Sequence, residues 1–464
     1  MIKEQSDGES SSGQGPLDIV ILGASFGGLS CAHHFLDHII DRLGTSIATQ
    51  PYRLIIVTPS THIYWNIGAP RALVQHGLIK HDDTFVPIEP GFARHRGRDW
   101  TIIQAKALDW NPADRSVKIE LLNIEAQNRF QNLFTKRSSN INVAATFLPS
   151  IQTLHYHALI ITTGTSAHSD LLSLHGPHLD TAKSLDSFHR RVTAAKSIVI
   201  CGGGTSGVEV AGQLATFLNH KHIGPISRKL PNPKSITLIT GSDRCLPGVP
   251  NPKVGAIAER SLLKLGVEIR HNVRVTDVKE WFDQTGASRI ELSDDTQLIA
   301  DVYVPCTGVS PNTSFVPSYL KDDKGYIQTN HKTMRVDAAA GDRVYAIGDV
   351  ASYSYNYIPD VYAAVPVVMH NLLNDLIAYE LSVSNPYGGN DDYISQLVDQ
   401  EYVQRKNDSQ LCPISRWGGA GMLLGKVLPR VMVHVLKGHD YRVGKAKGVV
   451  VDGGNPYVMP MGGG

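Results

Sequence analysis

Two short glycine-rich segments have the residue types and spacing to bind the pyrophosphate of a dinucleotide. They are Gly23–Gly28, with Ser25 at its centre, and Gly202–Gly207, with Gly204 at its centre. Each follows an apolar run and precedes a helix-like run. In that arrangement, backbone N–H groups and the positive end of a helix dipole meet a phosphate. Two such segments in one chain predict two bound dinucleotides and electron transfer between them.

The second segment matches the G-x-G-x-x-G pattern in full, at Gly202, Gly204 and Gly207. In the first segment, Ser25 stands where the middle glycine would be, and its hydroxyl could donate to a phosphate. Glycines at these positions permit a tight turn, a close approach of phosphate and close packing of helix on strand. Either segment alone would fit a glycine turn in many α/β proteins, so the inference depends on both.

The residues after the second strand of each unit bear on cofactor selectivity. A carboxylate there usually holds the ribose hydroxyls of a dinucleotide. The first unit offers Thr58 and Ser60, and the second offers Thr240 with Arg244 nearby. The missing acid at Thr240 disfavours strict selectivity for NAD, and Arg244 could meet a 2′-phosphate. The alternative, that Arg244 is a solvated loop charge, stays open.

Two acids stand close to these segments. Asp349 follows Gly348 at the end of an apolar run, where a carboxylate can accept hydrogen bonds from the ribityl hydroxyls of a flavin. Glu209 lies one turn into the second helix and could face a bound nicotinamide. The alternative for Glu209 is an acid near a helix N-terminus, which the helix dipole favours.

The elements that must position these residues follow a βαβ pattern. Residues 17–23 predict a buried parallel strand, residues 27–43 a helix and residues 52–58 a second strand. A second unit opens at Ser197 and closes at residues 302–308 with another apolar strand and Thr-Gly. The pattern indicates an α/β fold.

The connections between these units are more polar. Residues 100–160 contain short alternating runs, which predict an antiparallel excursion with a polar loop near residues 124–141. Residues 385–410 predict a further loop or connection.

Composition excludes several classes of protein. A net charge of +1 over 464 residues gives no drive towards nucleic acid. Five scattered cysteines without a C-x-x-C pair argue against a redox dithiol, a zinc site and a disulfide framework. The 20 histidines are dispersed, so no metal site is expected. The start of the chain has no secretory apolar region and no glycine at position 2 for myristoylation, which favours a cytoplasmic location.

The motifs together resemble a known family. The chain is similar to the flavoproteins with two dinucleotide-binding domains and the pyridine nucleotide–disulfide reductase fold. Within them it most resembles the branch of apoptosis-inducing factor 2 and ferroptosis suppressor, related to type II NADH dehydrogenases. The matching motifs are Gly23–Gly28, Tyr64–Ala72, Gly202–Glu209, Cys306–Asn312 and Tyr345–Asp349. Residues 425–430 and 436–441 also resemble the C-terminal segment of that branch.

The resemblance implies two Rossmann-like dinucleotide-binding domains, the second inserted in the first, with a C-terminal segment. The expected boundaries are a disordered tail at 1–16, an FAD-binding domain at 17–190 and 326–375, an NAD(P)H-binding domain at 191–325 and a C-terminal cap or interface segment at 376–464.

The resemblance also implies the residues of two cofactor sites. Those for FAD are Gly23, Ser25, Phe26, Gly27, Gly28, Thr58, Ser60, Arg71, Ala107, Thr163, Gly164, Gly348 and Asp349. Those for NADPH or NADH are Gly202, Gly204, Thr205, Ser206, Gly207, Glu209, Arg244 and Gly308. Arg71 would lie near the flavin, Ala107 near the adenine and Gly308 opposite the second glycine segment. No catalytic acid or base is assigned, since the flavin carries the redox chemistry.

The expected activity is that of an FAD-dependent NAD(P)H oxidoreductase, which passes a hydride from NAD(P)H to FAD and then electrons to a quinone-like or other small acceptor. Residues 363–369 lack the Ala-Gln motif of type II dehydrogenases, which disfavours a respiratory quinone. A tailoring oxidase of secondary metabolites and a redox-sensing flavoprotein with little turnover remain open alternatives.

The expected partners are the small electron acceptor and, as an open alternative to a lone chain, a second copy in a homodimer. From Ser415 to Lys447 the chain is basic with interleaved apolar residues. Such a segment could contact an anionic membrane surface, or could simply pack on the domain with its lysines exposed.

Overall fold

The computed structural model describes residues 15–44, 50–135, 149–223, 226–280, 287–385, 390–404 and 408–457. Most of the expected disordered tail, residues 1–14, therefore lies outside the described residues. The strands are β1 (Leu17–Leu22), β2 (Tyr52–Thr58), β3 (His62–Tyr64), β4 (Phe85–Pro87), β5 (Trp100–Asn111), β6 (Ser116–Leu121), β7 (Ile151–His155), β8 (Ala158–Ile161), β9 (Thr165–Ala167), β10 (Ser197–Cys201), β11 (His220–Ile223), β12 (Ile226–Lys229), β13 (Ser235–Ile239), β14 (Glu268–Arg270), β15 (Val275–Glu280), β16 (Ser288–Leu292), β17 (Gln297–Ala300), β18 (Val302–Pro305), β19 (Val309–Pro311), β20 (Val344–Ala346), β21 (Gln410–Ser415), β22 (Gly418–Leu423) and β23 (Lys426–Val427).

The α-helices are α1 (Phe26–His34), α2 (Ala69–Ala72), α3 (His81–Thr84), α4 (Ile124–Thr135), α5 (His178–Ala194), α6 (Thr205–Asn219), α7 (Pro252–Lys264), α8 (Ile358–Ser384), α9 (Asp391–Ser395), α10 (Arg430–Val433) and α11 (Ala446–Asp452). Short 3-10 or π-helical turns follow or join several of them, at Phe35–Ile39, Ile40–Arg42, Asn66–Gly68, Glu89–His95, Ser318–Leu320, Ala338–Ala340, His434–Gly438 and Val443–Lys445.

The first sheet has seven strands in the order β20-β8-β1-β2-β5-β6-β7. Strand β1 is an inner strand and pairs in parallel with both β2 and β8. Its residues Ile19–Leu22 are buried, as expected for an apolar run covered on both faces of a parallel sheet. The carboxyl end of β1, where the first glycine segment begins, is therefore flanked by a parallel strand on each side.

The second sheet has four parallel strands in the order β14-β13-β10-β18. A separate antiparallel sheet, β15-β16-β17, lies next to it in the chain. Strand β20 then pairs with β8, so the chain returns to the first sheet after completing the second. This connectivity confirms an α/β fold in which the second dinucleotide-binding unit is inserted into the first.

The polar stretch near residues 124–141 was expected to be a loop, and this expectation is wrong for its first part. Residues 124–135 form the helix α4. The Oδ1 atom of Asn123 accepts a hydrogen bond from Ala126 N at 2.7 Å, which satisfies one free N–H at the helix start. Ala126, Phe130 and Leu133 are buried, at the i, i+4, i+7 spacing of one helix face. Residues 136–141 lie outside the described part of the chain.

The C-terminal segment packs on both domains. Its strand β21 lies on α6 so closely that a Cβ on Gly212 would stand 2.5 Å from Ile414 O. Its last helix, α11, contacts α1, where a Cβ on Gly453 would stand 2.7 Å from Ser30 Cα. The segment therefore covers the second domain and reaches back to the first.

Helix α8 is long and apolar enough to cross a membrane, by length and composition alone. More than half of its most apolar window, 56%, is buried inside the protein. Its buried residues Val368, Leu372 and Leu376 belong to the core of the first domain. This burial is typical of the core helix of a folded domain.

Candidate functional site

The first glycine turn is held against Thr162, which directly follows β8, the strand next to β1 in the first sheet. Gly23 adopts a φ of +102°, and a Cβ there would stand 2.5 Å from Thr162 O. The Thr162 hydroxyl donates to Leu22 O at 2.9 Å and lies 3.0 Å from Gly23 O. A Cβ on Gly28 would stand 1.9 Å from Gly23 O. The turn therefore requires glycine at both ends.

The middle of this turn is open. Ser25 is the N-cap residue of α1, its side chain is exposed, and its hydroxyl makes no capping hydrogen bond. Phe26 packs edge-on against Trp65, with ring centroids 5.7 Å apart. Gly27 faces Val361, whose Cγ1 atom would lie 3.2 Å from an added Cβ. The free N–H groups of the helix start and the Ser25 hydroxyl are thus suited to a phosphate.

Thr58 and Ser60 were expected near a ribose, but their hydroxyls bond to nearby backbone. Thr58 Oγ1 donates to Ser60 O at 3.2 Å, and Ser60 Oγ donates to His62 O at 2.7 Å. Both side chains are buried. Ala107 lies on β5, half-buried, opposite Ile119 of β6. The parallel pairing of β1 and β2 places the carboxyl end of β2 next to the first glycine turn. The contact of Thr58 and Ser60 with the ribose stays a prediction.

Asp349 lies at the same edge of the first sheet, just after β20. Gly348 precedes it with a φ of +77° and donates its N–H to the Tyr353 hydroxyl at 3.0 Å. The pKa of Asp349 is raised to about 6, mainly by burial; a hydrogen bond from Thr165 opposes the shift, and the nearby Asp360 carboxylate contributes to it. A carboxylate with so little solvation gains most from additional hydroxyl donors.

The carboxyl ends of the two sheets are tied together by a two-stranded ribbon. In it, β9 from the first domain pairs antiparallel with β19, which follows the second sheet. Asn312 N donates to Gly164 O at 2.9 Å, and Asn312 Nδ2 donates to Thr163 O at 2.9 Å. Gly164 and Gly308 have φ values of +63° and +109°, and in the part of the chain that the structure describes, no atom lies within 4 Å of a Cβ added at either. Both thus border open space beside the ribbon.

The second glycine turn repeats the close contacts of the first. A Cβ on Gly202 would stand 2.1 Å from Cys306 O, and one on Gly207 would stand 1.8 Å from Gly202 O. A Cβ on Gly203 would stand 2.3 Å from Thr240 Oγ1. Gly204 is different, because an added Cβ would have no atom of the described residues within 4 Å. The position at the centre of the motif therefore faces open space.

A cleft of about 180 Å³ begins at this position. It is lined by Gly204, Thr205, the loop Leu246–Pro250 and Gln410. Gln410 Nε2 donates to Thr205 Oγ1 at 3.1 Å, so the C-terminal segment supplies one wall. Ser206 lies next along α6, in its first turn. The N-terminus of α6 opens into this cleft, as a pyrophosphate site would need.

Arg244, expected to meet a 2′-phosphate, is half-buried beside this loop. Its Nη2 atom donates to Pro247 O at 3.1 Å and to Val249 O at 3.4 Å. Thr240 Oγ1 accepts a hydrogen bond from Ser242 N at 3.3 Å. Because residue 240 is a threonine, no carboxylate stands at this position after β13. The guanidinium therefore holds the wall of the cleft, and a role in cofactor selectivity stays a prediction.

A buried ion pair joins α6 to the C-terminal segment. Lys437 Nζ lies 2.7 Å from Glu209 Oε1 and 3.2 Å from Leu411 O. Burial raises the pKa of Glu209, and the Lys437 ammonium opposes that shift. Lys437 was not among the expected site residues. The only signal was the likeness of its segment, residues 436–441, to the end of the related branch.

Arg71, expected near the flavin, lies in the same buried region. Its Nε atom donates to Gln213 Oε1 at 2.9 Å, and its Nη1 atom donates to His439 O at 2.8 Å. Its guanidinium carbon stands 4.6 Å from the centre of the Tyr441 ring. Arg71 therefore fastens α2 of the first domain to α6 and to the C-terminal segment.

The cysteines offer no thiol chemistry. All five are buried and unpaired. Burial raises the pKa of Cys245 and of Cys306 to about 12, and it raises the pKa of the other three as well. Since the thiolate is the reactive form, these side chains serve as packing residues.

Comparison with known proteins agrees with this arrangement. The family described as pyridine nucleotide-disulphide oxidoreductase matches residues 17–366. Oxidoreductase phnG of Penicillium herquei is 30% identical over 438 residues, which span 93% of this chain and 95% of that protein. Ferroptosis suppressor protein 1 of Taeniopygia guttata is 22% identical and also spans 93% of this chain and 95% of that protein.

Solved structures share the fold at low sequence identity. NDH2 from Plasmodium falciparum in complex with NADH has a TM-score of 0.59 at 14% identity, covering 96% of this chain and 100% of that one. A NAD-dependent persulfide reductase from A. fulgidus has a TM-score of 0.55 at 18% identity, and the chain matches 59% of its length. By its sequence and its fold, the chain belongs to the pyridine nucleotide-disulphide oxidoreductase family of enzymes.

Proposed function

We propose that the chain is an FAD-dependent NAD(P)H oxidoreductase. FAD binds in the domain formed by residues 17–190 and 326–375, and NADH or NADPH binds in the inserted domain, residues 191–325. One observation carries the proposal most of all. Two glycine turns stand at the carboxyl ends of two parallel sheets, and the β9–β19 ribbon ties those two ends together. Two dinucleotides that enter at these turns would meet at the ribbon.

The residues of the first turn fit FAD. Its flanking glycines leave no room for a Cβ, while the exposed Ser25 leaves the helix start accessible to a pyrophosphate. Asp349, poorly solvated at the same sheet edge, can accept hydrogen bonds from ribityl hydroxyls. When bound, FAD supplies the redox chemistry between the nicotinamide and the acceptor.

The chain itself supplies binding, orientation and exclusion of water. Gly204 leaves space for a pyrophosphate at the start of α6. Lys437 balances the charge of Glu209 in a region closed to solvent. Arg71 holds the first domain, the inserted domain and the C-terminal segment in one arrangement. No side chain needs to act as an acid or a base for this role.

Anaerobic reduction of the flavin by NADH and by NADPH tests the proposal. Gly204→Val should remain folded because no protein atom lies near its Cβ, yet it should lose reduction by either cofactor while it keeps FAD. Gly97→Val, at another glycine with nothing within 4 Å, serves as the matched control and should be reduced like the parent. Equal reduction of Gly204→Val and the parent would show that the second turn does not bind the cofactor.

The proposed electron acceptor is a small molecule, quinone-like or otherwise, and it would be found by restoring the oxidised flavin spectrum with candidate acceptors. The C-terminal segment suits an acceptor dissolved in a membrane. Its side chains Trp417, Leu424, Val431 and Val435 are exposed, and Arg430 lies in the same helix as Val431. Apolar and basic residues together favour the surface of an anionic bilayer. For a cytoplasmic protein, the C-terminal segment would contact the bilayer surface peripherally.

Sedimentation with anionic and with neutral vesicles separates this contact from simple packing on the domain. The parent should sediment with anionic vesicles, and Leu424→Ser with Val435→Ser should reduce that binding. Equal recovery of the parent with both kinds of vesicle would remove the membrane from the proposal and leave the oxidoreductase activity untouched.

A further inference from the structure

Three side chains with metal-binding atoms meet on the surface of the first domain. His76 follows α2, and Asp186 and His189 belong to α5. Their ligand atoms all lie within 4.8 Å of one another. The Nε2 atom of His76 stands 3.5 Å from Asp186 Oδ1. The chain thus brings two imidazoles and a carboxylate to one point, at a distance from both glycine turns in the sequence.

The local structure explains how these residues meet. Asp186 and His189 are three residues apart on α5, so their side chains share one face of the helix. The rings of His76 and His189 contact each other edge to face, with centroids 4.2 Å apart. His76 is exposed and Asp186 is half-buried, whereas His189 is only 8% exposed. The group is therefore anchored at one end and open to solvent at the other.

The hydrogen bonds of His189 determine which ring nitrogen is free. Its Nε2 atom lies 2.8 Å from Ala72 O, and because a carbonyl only accepts, Nε2 must carry the proton. Nδ1 of a neutral ring then carries a lone pair. That atom is buried and has no hydrogen-bond partner among the described residues.

This is the arrangement of a histidine that binds a metal. Ligating histidines nearly always donate their other N–H to a carboxylate, a backbone carbonyl or water, which fixes the ring and its tautomer. Here Ala72 O takes that role. A buried acceptor without a partner destabilises the fold, and a bound cation would remove that cost.

We propose that His76, Asp186 and His189 bind a divalent transition-metal ion of the zinc class, with water completing its coordination. Two imidazoles and one carboxylate suit Zn²⁺, which takes nitrogen and oxygen ligands at about 2.0–2.2 Å. Tetrahedral ligands at such lengths stand about 3.4 Å apart. The 3.5 Å separation of His76 Nε2 and Asp186 Oδ1 already matches this spacing. Rotation of the exposed His76 ring can shorten its distance to His189, since all the ligand atoms lie within 4.8 Å of one another.

The proposed site also has a structural consequence. Ala72, whose carbonyl accepts from His189, directly follows Arg71 in α2. A bound ion would fasten α2 to α5 and so steady the helix that carries Arg71. The even dispersion of histidines in the sequence predicted no metal site, since residues so far apart meet only in the fold.

Isothermal titration of the full-length, flavin-loaded chain with Zn²⁺, after treatment with a chelator, tests the proposal. We expect one Zn²⁺ per chain at this site and a higher melting temperature in its presence. His76→Gln, Asp186→Asn and His189→Gln should each weaken binding at least about 10-fold. His331→Gln, at an exposed histidine elsewhere, is the matched control and should bind Zn²⁺ like the parent.

The His76→Gln and Asp186→Asn variants still decide the question if His189→Gln fails to fold. The side chains of His76 and Asp186 both reach solvent, so their variants should retain the flavin content and circular dichroism of the parent. If either folded variant binds Zn²⁺ with the affinity and stoichiometry of the parent, the site is not where we place it. If the parent shows only weak binding that His331→Gln reduces equally, the histidines of the surface bind the ion without a built site, and the proposal fails.

Discussion

The two glycine turns have nearly the same contacts at their ends. In the first, an added Cβ would stand 2.5 Å from Thr162 O at Gly23 and 1.9 Å from Gly23 O at Gly28. In the second, the corresponding distances are 2.1 Å at Gly202 and 1.8 Å at Gly207. These four glycines are thus required by the protein itself, since real Cβ atoms do not approach backbone oxygens so closely.

The middle positions differ from the ends and from each other. Ser25 is exposed, and a Cβ added at Gly204 would have no neighbour within 4 Å among the described residues. Neither residue type is therefore needed for folding. The comparison separates the structural part of each motif from the part that is available to a ligand.

The helices that follow the two turns differ most. Seven residues after Gly202, α6 carries Glu209, buried against Lys437. Seven residues after Gly23, α1 carries Ser30, which lies against Gly453 of the C-terminal segment. The C-terminal segment thus covers both helices, with a charge pair on one and a small-residue contact on the other. The inserted domain should consequently depend more on the end of the chain.

The largest effect is expected from a substitution that breaks the Glu209–Lys437 ion pair. Lys437→Met leaves Glu209 buried and unpaired, which should lower the free energy of unfolding by about 3–5 kcal/mol. Adding Glu209→Gln should restore most of this loss, because the uncompensated charge is removed. Denaturant unfolding measures both, with Lys445→Met at an exposed lysine as control. A single variant as stable as the parent would show that the pair is not buried.

The next effect concerns the ends of the turns. Gly28→Ala and Gly207→Ala should each lower the free energy of unfolding by about 3 kcal/mol, because the added methyl overlaps a backbone oxygen. Gly28→Ala should also lower FAD content, and Gly207→Ala should impair flavin reduction by NAD(P)H. Thermal unfolding with flavin quantification checks this. If the effects on the two cofactors were exchanged, the assignment of the turns would be reversed.

Asp349 should make FAD binding depend on pH. Its pKa is raised to about 6 in the folded protein, so the proton is held more firmly than in the unfolded chain. Its contribution to stability without FAD is therefore present at low pH and lost as the pH rises towards 6. Ribityl hydroxyls bind the ionised form, so FAD affinity should rise between about pH 5 and about pH 7.

The Asp349→Asn variant separates this effect from other titrations. It should bind FAD about 10- to 100-fold more weakly at neutral pH, through loss of hydrogen bonds to a charged acceptor. Its affinity should also vary less with pH than that of the parent. Fluorescence titration of the apoprotein with FAD measures both. An unchanged pH profile would mean that another group is responsible.

The smallest effect compares the two middle positions. Ser25→Ala should weaken FAD binding about 2- to 10-fold, the value of one hydrogen bond, without a change in stability. Gly204→Ala should leave stability equally unchanged and weaken only the nicotinamide cofactor. Binding titrations of both cofactors to both variants give four affinities. A loss of stability in either variant would contradict the open space seen at these positions.

The sequence predicts well what adjacent residues determine. Strand β1 and the turn at Gly23 follow from one apolar run and its glycines, and the same holds for β10 and Gly202. Helix α4 was missed because many polar residues separate its few buried apolar residues. The polar composition of the stretch was therefore given more weight than its helical periodicity.

Contacts between distant residues could not be predicted in this way. Lys437 is 228 residues from Glu209, and nothing near either residue indicates the other. The same is true of His76 and His189, which meet only after α2 and α5 have packed. Thr162 could have been expected to matter, since it precedes Thr163 and Gly164, but its grip on the first turn needed the register of β8 against β1.

The position of β20 has a consequence for the order of folding. Strand β8 lies between β1 and β20, and β20 begins only at Val344, after all four strands of the inserted parallel sheet. During synthesis, the inserted domain can complete its sheet while the first sheet still lacks an edge strand. The first domain must instead await a contact of long sequence separation, which slows folding. The inserted domain would thus fold before the first domain, and FAD would bind late, once most of the chain has left the ribosome.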